Sequence, residues 1–120
     1  MGTKRKLPSP PTSVKVGPIE YDVVFDSQVL DINSLRTGAG VCLGLTLHHA
    51  TTIMVDDNVS EDVQASTLLH EVLHAVFDVT GVSYDIGSKT EEKLIRHLEA
   101  TLLQVLRENP ELVAYLVTPR

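Results

Sequence analysis

The sequence predicts an α+β domain, with a small N-terminal β-sheet followed by two long helices and a short C-terminal helix. Three observations carry this. Segments rich in β-branched and aromatic residues, separated by turn residues, fill the chain from Ser13 to Asp56. After Ser60 the apolar residues recur at the three- and four-residue spacing of a helix. The length, 120 residues, suits one domain with one core.

Taken in order, residues 1–12 hold Lys4, Arg5, Lys6 and three prolines, and read as a disordered, solvated tail. A nuclear-localisation reading of Lys4-Arg5-Lys6 is the weaker alternative. A single domain, 13–120, follows. Ser13–Val16 is a short strand, Gly17-Pro18 a turn, and Ile19–Asp26 a strand carrying Tyr21, Val23, Val24 and Phe25. Ser27–Arg36 is mixed and suits a short helical turn, and Gly38-Ala39-Gly40 breaks the pattern. Val41–His48 alternates, with Val41, Leu43, Leu45 and Leu47 expected on one buried face. Ala50–Asp56 is strand-like again.

Ser60 is a suitable N-cap, and Glu61 and Asp62 place negative charge on the first turn of a helix over Glu61–Thr80. Gly81 stops it, and Val82–Lys89 reads as a loop. Thr90 is expected to cap a second helix, Glu91–Glu108, whose apolar side carries Leu94, Ile95, Leu98, Leu102, Val105 and Leu106. Asn109-Pro110 ends it, and Glu111–Val117 forms a last short helix. No internal repeat is visible.

Charge and cysteine usage narrow the function. Ten Lys and Arg stand against sixteen Asp and Glu, for a formal charge of −6, and three of those bases lie in the first six residues. A body that acidic argues against tracking phosphates, so no nucleic-acid partner is expected. No apolar run approaches the roughly 18 residues of a membrane span, and the basic start leads into prolines where a secretory signal would have an apolar core. The lone Cys42 excludes an intramolecular disulfide and reads as a small buried apolar side chain, which suits a reducing cytoplasm.

The chemistry sits in Leu68–Phe77, where the only polar side chains are His70, Glu71 and His74. A helix apolar nearly all round is a buried one, and buried polar groups without partners cost roughly 1–3 kcal/mol each. A metal satisfies them. His70 and His74 are four apart, so they share a helical face and can both reach one zinc ion. Glu71 points about 100° away from that pair, and suits a general base better than a third ligand. This is the HExxH pattern. The competing reading is a helix with two core histidines satisfied by neighbours.

A catalytic zinc needs a third protein ligand and an open fourth position. A metzincin-like third histidine is excluded, because Thr80 occupies its place and Phe77 replaces the required glycine. Asp78 lies two turns from His70, about 12 Å along the axis, too far to share one ion. It reads as a helix-end charge or a partner to a ligand. Glu91 and Glu92 begin the next helix, which the turn at Gly81 lets fold back. Periodicity slightly favours Glu91, which shares a side with Leu94, Ile95 and Leu98. The one not used would merely complement the helix dipole. Glu99 could also face inward, with a different packing.

These residues resemble the small zinc metallopeptidases encoded by phages and bacteria, of the ImmA/IrrE-like and neighbouring SprT-like groups within the gluzincins. The resemblance covers roughly residues 13–117. It rests on Thr67-Leu68-Leu69-His70-Glu71-Val72-Leu73-His74-Ala75, on Glu91-Glu92-Lys93-Leu94-Ile95, and on Leu102–Leu112. The Glu-Ala-Asn-x-Phe-Ala pattern of fuller ImmA-like enzymes is absent. The resemblance implies a minimal zincin-like fold, Zn²⁺ as cofactor, and the cytoplasm of a bacterial host. It also implies Glu92 as the third ligand, with Glu91 as fallback. An edge strand beside the metal helix would bind a protein or peptide substrate as an extended strand. Ala50–Asp56 is the candidate, through Ile53 and Val55.

The expected activity is therefore zinc-dependent peptide hydrolysis, with His70, His74 and Glu92 as ligands and Glu71 as the base that takes a proton from the attacking water. The alternative from another class is a catalytically silent, zinc-stabilised interaction protein that binds a host partner. Tyr84, between the two helices, is a candidate donor to a developing oxyanion, with simple packing as the competing reading. His48 and His49 either line the cleft or sit in an exposed turn. His97 and Glu99 read as surface residues.

Overall fold

A computed structural model describes residues 7–27 and 43–120 of the chain. The expectations for Lys4-Arg5-Lys6, for the helical turn within Ser27–Arg36, for Gly38–Gly40, for Val41 and for Cys42 lie outside these residues. Residues 7–12 are exposed and carry no regular secondary structure.

The fold is α+β. Among the described residues four strands, β1 (Ser13–Val16), β2 (Ile19–Phe25), β3 (Gly44–Leu47) and β4 (Thr52–Val55), form a sheet of order β1-β2-β4-β3. β1 and β2 make an antiparallel hairpin through Gly17-Pro18. β2 and β4 run parallel, Val23 opposite Ile53 and Phe25 opposite Val55. β3 and β4 are antiparallel, Leu45 opposite Met54 and Thr46 opposite Ile53.

This topology corrects two expectations. Ala50–Asp56 is not the sheet edge. Its central part, β4, lies between β2 and β3, and Ile53 and Val55 are fully buried. The unbroken run Ile53-Met54-Val55 is the signature of an internal strand, where an edge strand facing solvent would alternate. β1 and β3 have a partner on one side only, among the described residues, and β3 is the one that meets Glu71. The buried face of β3 is also reversed. Leu43 and Leu47 are more than a third exposed, whereas Gly44 and Thr46 meet the helix behind.

The helix α1 (Glu61–Thr80) has the expected bounds for the expected reasons. Ser60 Oγ accepts from the Val63 N–H at 3.3 Å, Glu61 and Asp62 occupy the first turn, and Gly81 ends the helix in left-handed geometry. α1 is the middle layer. One side packs on β1, β3 and β4, and the other on α2 (Val82–Glu108). That position explains why its apolar residues run almost all round. Leu68, Val72, Val76 and Val79 pack on a core of Val16, Tyr21, Val23, Ile53, Val55 and Ala75.

The second helix starts earlier than its apolar period indicates. The expected loop Val82–Lys89 is helical from Val82, and Thr90 lies inside the helix instead of capping it. Non-helical backbone at Gly87 (φ 79°, ψ 160°) separates the first turn from the long segment that follows. Arg107 at its far end meets Asp62 at the start of α1 (2.8 Å), so the two helices are antiparallel. α3 (Pro110–Val117) follows Asn109 with proline in its first turn.

The Gly87 conformation is open essentially to glycine alone. Apart from the adjoining backbone, no atom lies within 4 Å of a methyl group placed there, so the cost of Gly87→Ala lies in the backbone. It should lower unfolding free energy by about 1–3 kcal/mol in urea titrations. An unchanged midpoint would show that the break is not needed.

Candidate metal centre

One turn of α1 presents its polar groups in two directions. His70 and His74 face α2, and Glu71 faces β3. The imidazoles meet edge to face, with centroids 4.9 Å apart at 63°. Their Nε2 atoms are 3.2 Å apart. Glu92 completes a triangle. Its Oε2 is 2.7 Å from His74 Nε2, and its Oε1 is 3.2 Å from His70 Nε2. One donor atom from each of the three residues lies within 4.8 Å of the other two.

The remaining nitrogens decide what this triangle can hold. His74 Nδ1 is 2.5 Å from Glu91 Oε2, and His70 Nδ1 bonds Glu99 Oε2. A carboxylate only accepts, so each Nδ1 carries a hydrogen; a neutral ring then turns its Nε2 lone pair toward the triangle, and a doubly protonated ring turns an N–H toward Glu92. Two imidazole nitrogens and a carboxylate thus face one another, a set that requires a positive charge, which a second ring proton or a metal cation can supply. With Zn–N bonds of about 2.0–2.1 Å, tetrahedral ligands stand about 3.3–3.4 Å apart, close to the separation of the two Nε2 atoms. The residues present therefore fit a zinc ion.

Glu71 is 6% exposed. Its Oε1 accepts a 2.8 Å hydrogen bond from Thr46 Oγ1, which also reaches the Glu71 carbonyl. β3 comes this close because Gly44 has no side chain. A Cβ there would lie 2.6 Å from Thr67 Cγ2 and 2.8 Å from Glu71 Oε2. Burial pushes the Glu71 carboxyl above its ordinary range, against the opposing pull of the Thr46 bond and the two imidazoles. Burial also pushes Glu92 upward, but the Arg96 hydrogen bond and the two imidazoles outweigh it and hold Glu92 below its usual value. His70, Glu71, His74, Glu92, Thr46 and Gly44 line one cavity of about 820 Å³.

The other sequence candidates are placed as follows. Glu91 is not a ligand in this geometry. It is buried behind His74, so neither glutamate of the pair serves merely as a partner of the helix dipole. Glu99 is not a free surface residue, because it meets His70, whereas His97 is exposed. Tyr84 is 89% exposed and lines a separate cavity with His48, His49 and Asp78. It is not positioned to meet an oxyanion at the triangle. His48 borders both cavities and stands 3.4 Å from Asp78, which belongs to this neighbouring surface. Ile53 and Val55 are core residues, with no side-chain surface for a substrate.

Three contributors escape the sequence reading, Gly44, Thr46 and Ser83, and a fourth, Glu99, faces inward although a surface position is the reading its sequence context favours. Thr46 carried a signal, as the hydroxyl residue in Leu43–Leu47. Glu99 carried another, since Glu91, Ile95 and Glu99 recur every four residues on one face of α2. That face packs, with Ile95 fully buried, while Leu94 and Leu98 point outward.

Metal affinity should depend on pH in a defined direction. Burial alone would lower the His74 pKa, but the Glu91 bond and the charges of Glu71, Glu92 and Glu91 outweigh it and raise the value. Below that raised value the ring carries a second proton and cannot ligate, so binding weakens as pH falls. Competition titration against a chromogenic chelator should find zinc held about tenfold or more weakly at about pH 5.5 than at about pH 7.5. A flat profile would remove His74 from the ligand set.

No protein-family model matches this chain, and no curated protein or solved structure matches it.

Proposed function

We propose that the protein is a zinc-dependent peptide hydrolase. The observation that carries the reading is the convergence of His70 Nε2, His74 Nε2 and a Glu92 oxygen in one cavity with the buried carboxylate of Glu71. His70, His74 and Glu92 would hold the ion. Zinc would supply Lewis acidity there, acidifying water and polarising a carbonyl.

The rest falls to the chain. Glu71 takes the proton of the attacking water and returns it to the leaving amine, forming a carboxylic acid between the two steps. Its upward-shifted carboxyl suits it to holding that proton. Thr46 fixes its orientation through Oε1. An extended substrate fits along β3, in place of the strand expected from sequence. Asp56 N–H donates to the Leu43 carbonyl, so Leu43, and by alternation Leu45 and Leu47, turn their backbone toward β4. Thr46 therefore turns its N–H and C=O the other way, where a peptide strand can pair.

Glu71→Gln tests the reading. The variant should keep one zinc per chain by elemental analysis and lose cleavage of a peptide mixture about 10²–10⁴-fold, followed by mass spectrometry. A wild-type protein purified without chelator and lacking stoichiometric metal would overturn the proposal. Equal biological effect of Glu71→Gln and wild type would point to a zinc-stabilised interaction protein without turnover.

A further inference from the structure

We infer that Glu91 and Glu99 are positioning residues that lock both imidazoles into the tautomer with Nε2 free, so that the one helix supplying the ligand Glu92 also aims the other two ligands. The inference rests on the metal reading above and deepens it, by naming what sets the affinity of that site.

The geometry is that of two parallel relays. On one, Ser83 Oγ donates to Glu91 Oε1, and Glu91 Oε2 accepts from His74 Nδ1. Both oxygens of Glu91 are committed and its side chain is 8% exposed, so it can neither rotate toward the triangle nor be replaced by water as the partner of His74. On the other, Glu99 Oε2 accepts from His70 Nδ1, with the Glu99 side chain 27% exposed. Each ring is thereby fixed about its Cβ–Cγ bond as well as in its proton placement. A ring lacking such an acceptor can flip, or carry its hydrogen on Nε2 and point it at the ion.

The spacing explains how one helix does this. Glu91, Ile95 and Glu99 lie on one face, with Ile95 fully buried between the two carboxylates. Glu92 lies about 100° round from Glu91 and reaches the Nε2 side. The break at Gly87 separates the Val82–Ile86 turn, which carries Ser83, from the segment that carries Glu91.

The test uses the full chain and zinc alone as probe. Glu91→Gln and Glu99→Gln, each checked for native circular dichroism in the zinc-free form, should bind zinc about 10- to 100-fold more weakly than wild type. The loss should be larger for the more buried Glu91. His97→Ala, on the exposed side of the same helix, should bind as wild type does. Two-bond ¹H–¹⁵N imidazole spectra of the zinc-loaded proteins should show both rings bound through Nε2 in wild type, and a mixture in the variants. Should Glu91→Gln not fold, Glu99→Gln carries the test by itself. If wild type binds zinc and the glutamine variants match it in affinity and imidazole spectrum, the inference falls and the metal reading stands. If wild type binds no zinc, both fall.

Discussion

Two imidazole nitrogens 3.2 Å apart, each with a carboxylate held behind its ring and a third carboxylate in front, form an electrostatic knot at the seam between α1 and α2. The two front nitrogens and Glu92 need a positive charge among them, a ring proton or a metal cation, while the rear bonds hold the rings in place. Much of the seam is polar: on α2 Glu91, Glu92 and Glu99 surround one fully buried apolar side chain, Ile95. Apolar burial contributes correspondingly little to holding the helices together there. A metal cation in the triangle would take the place of the ring protons and add three bonds across the two helices, which would couple metal occupancy to helix docking.

The sheet side of α1 works by a different principle. There the core of Tyr21, Ile53, Val55 and their neighbours is apolar and closely packed, and it fixes the helix against β1 and β4. One polar contact interrupts it, the bond from Thr46 to Glu71. The two sides of a single turn thus have separate tasks. One carries the donor atoms, and the other keeps a carboxylate dry and oriented beside them. Burial without a counter-charge in direct contact is what raises a carboxyl into the range useful for moving protons.

How much of this could be read from the residues differs by element, for physical reasons. The limits of α1 were legible because capping and termination are local chemistry, carried by Ser60, Glu61, Asp62 and Gly81. The histidine pair was legible because a four-residue spacing dictates a shared face. The first turn of α2 was not, since Val82–Ile86 has no apolar period and its neighbours include the hydrogen bond from Ser83 to Glu91, a contact that local sequence does not announce. The order of the strands is not legible from strand propensity, which marks Ile53-Met54-Val55 as a strand but not as an inner one; only its unbroken apolarity argues against an edge. The packing face of α2 is hidden because leucines dominate the periodicity, yet the seam belongs to Glu91, Ile95 and Glu99. Apolar pattern finds the greasiest face of a helix, and a polar seam is invisible to it.

At Gly44 the strand backbone rests directly on Thr67 and Glu71, with no room for even a methyl group between them. A single hydrogen atom is therefore the spacer that gauges the gap between the sheet edge and α1. Any residue other than glycine at that position would force the Thr67 and Glu71 side chains, or the strand itself, to move. The width of the furrow, and so how thick a molecule can lie in it, is written at one position of the chain.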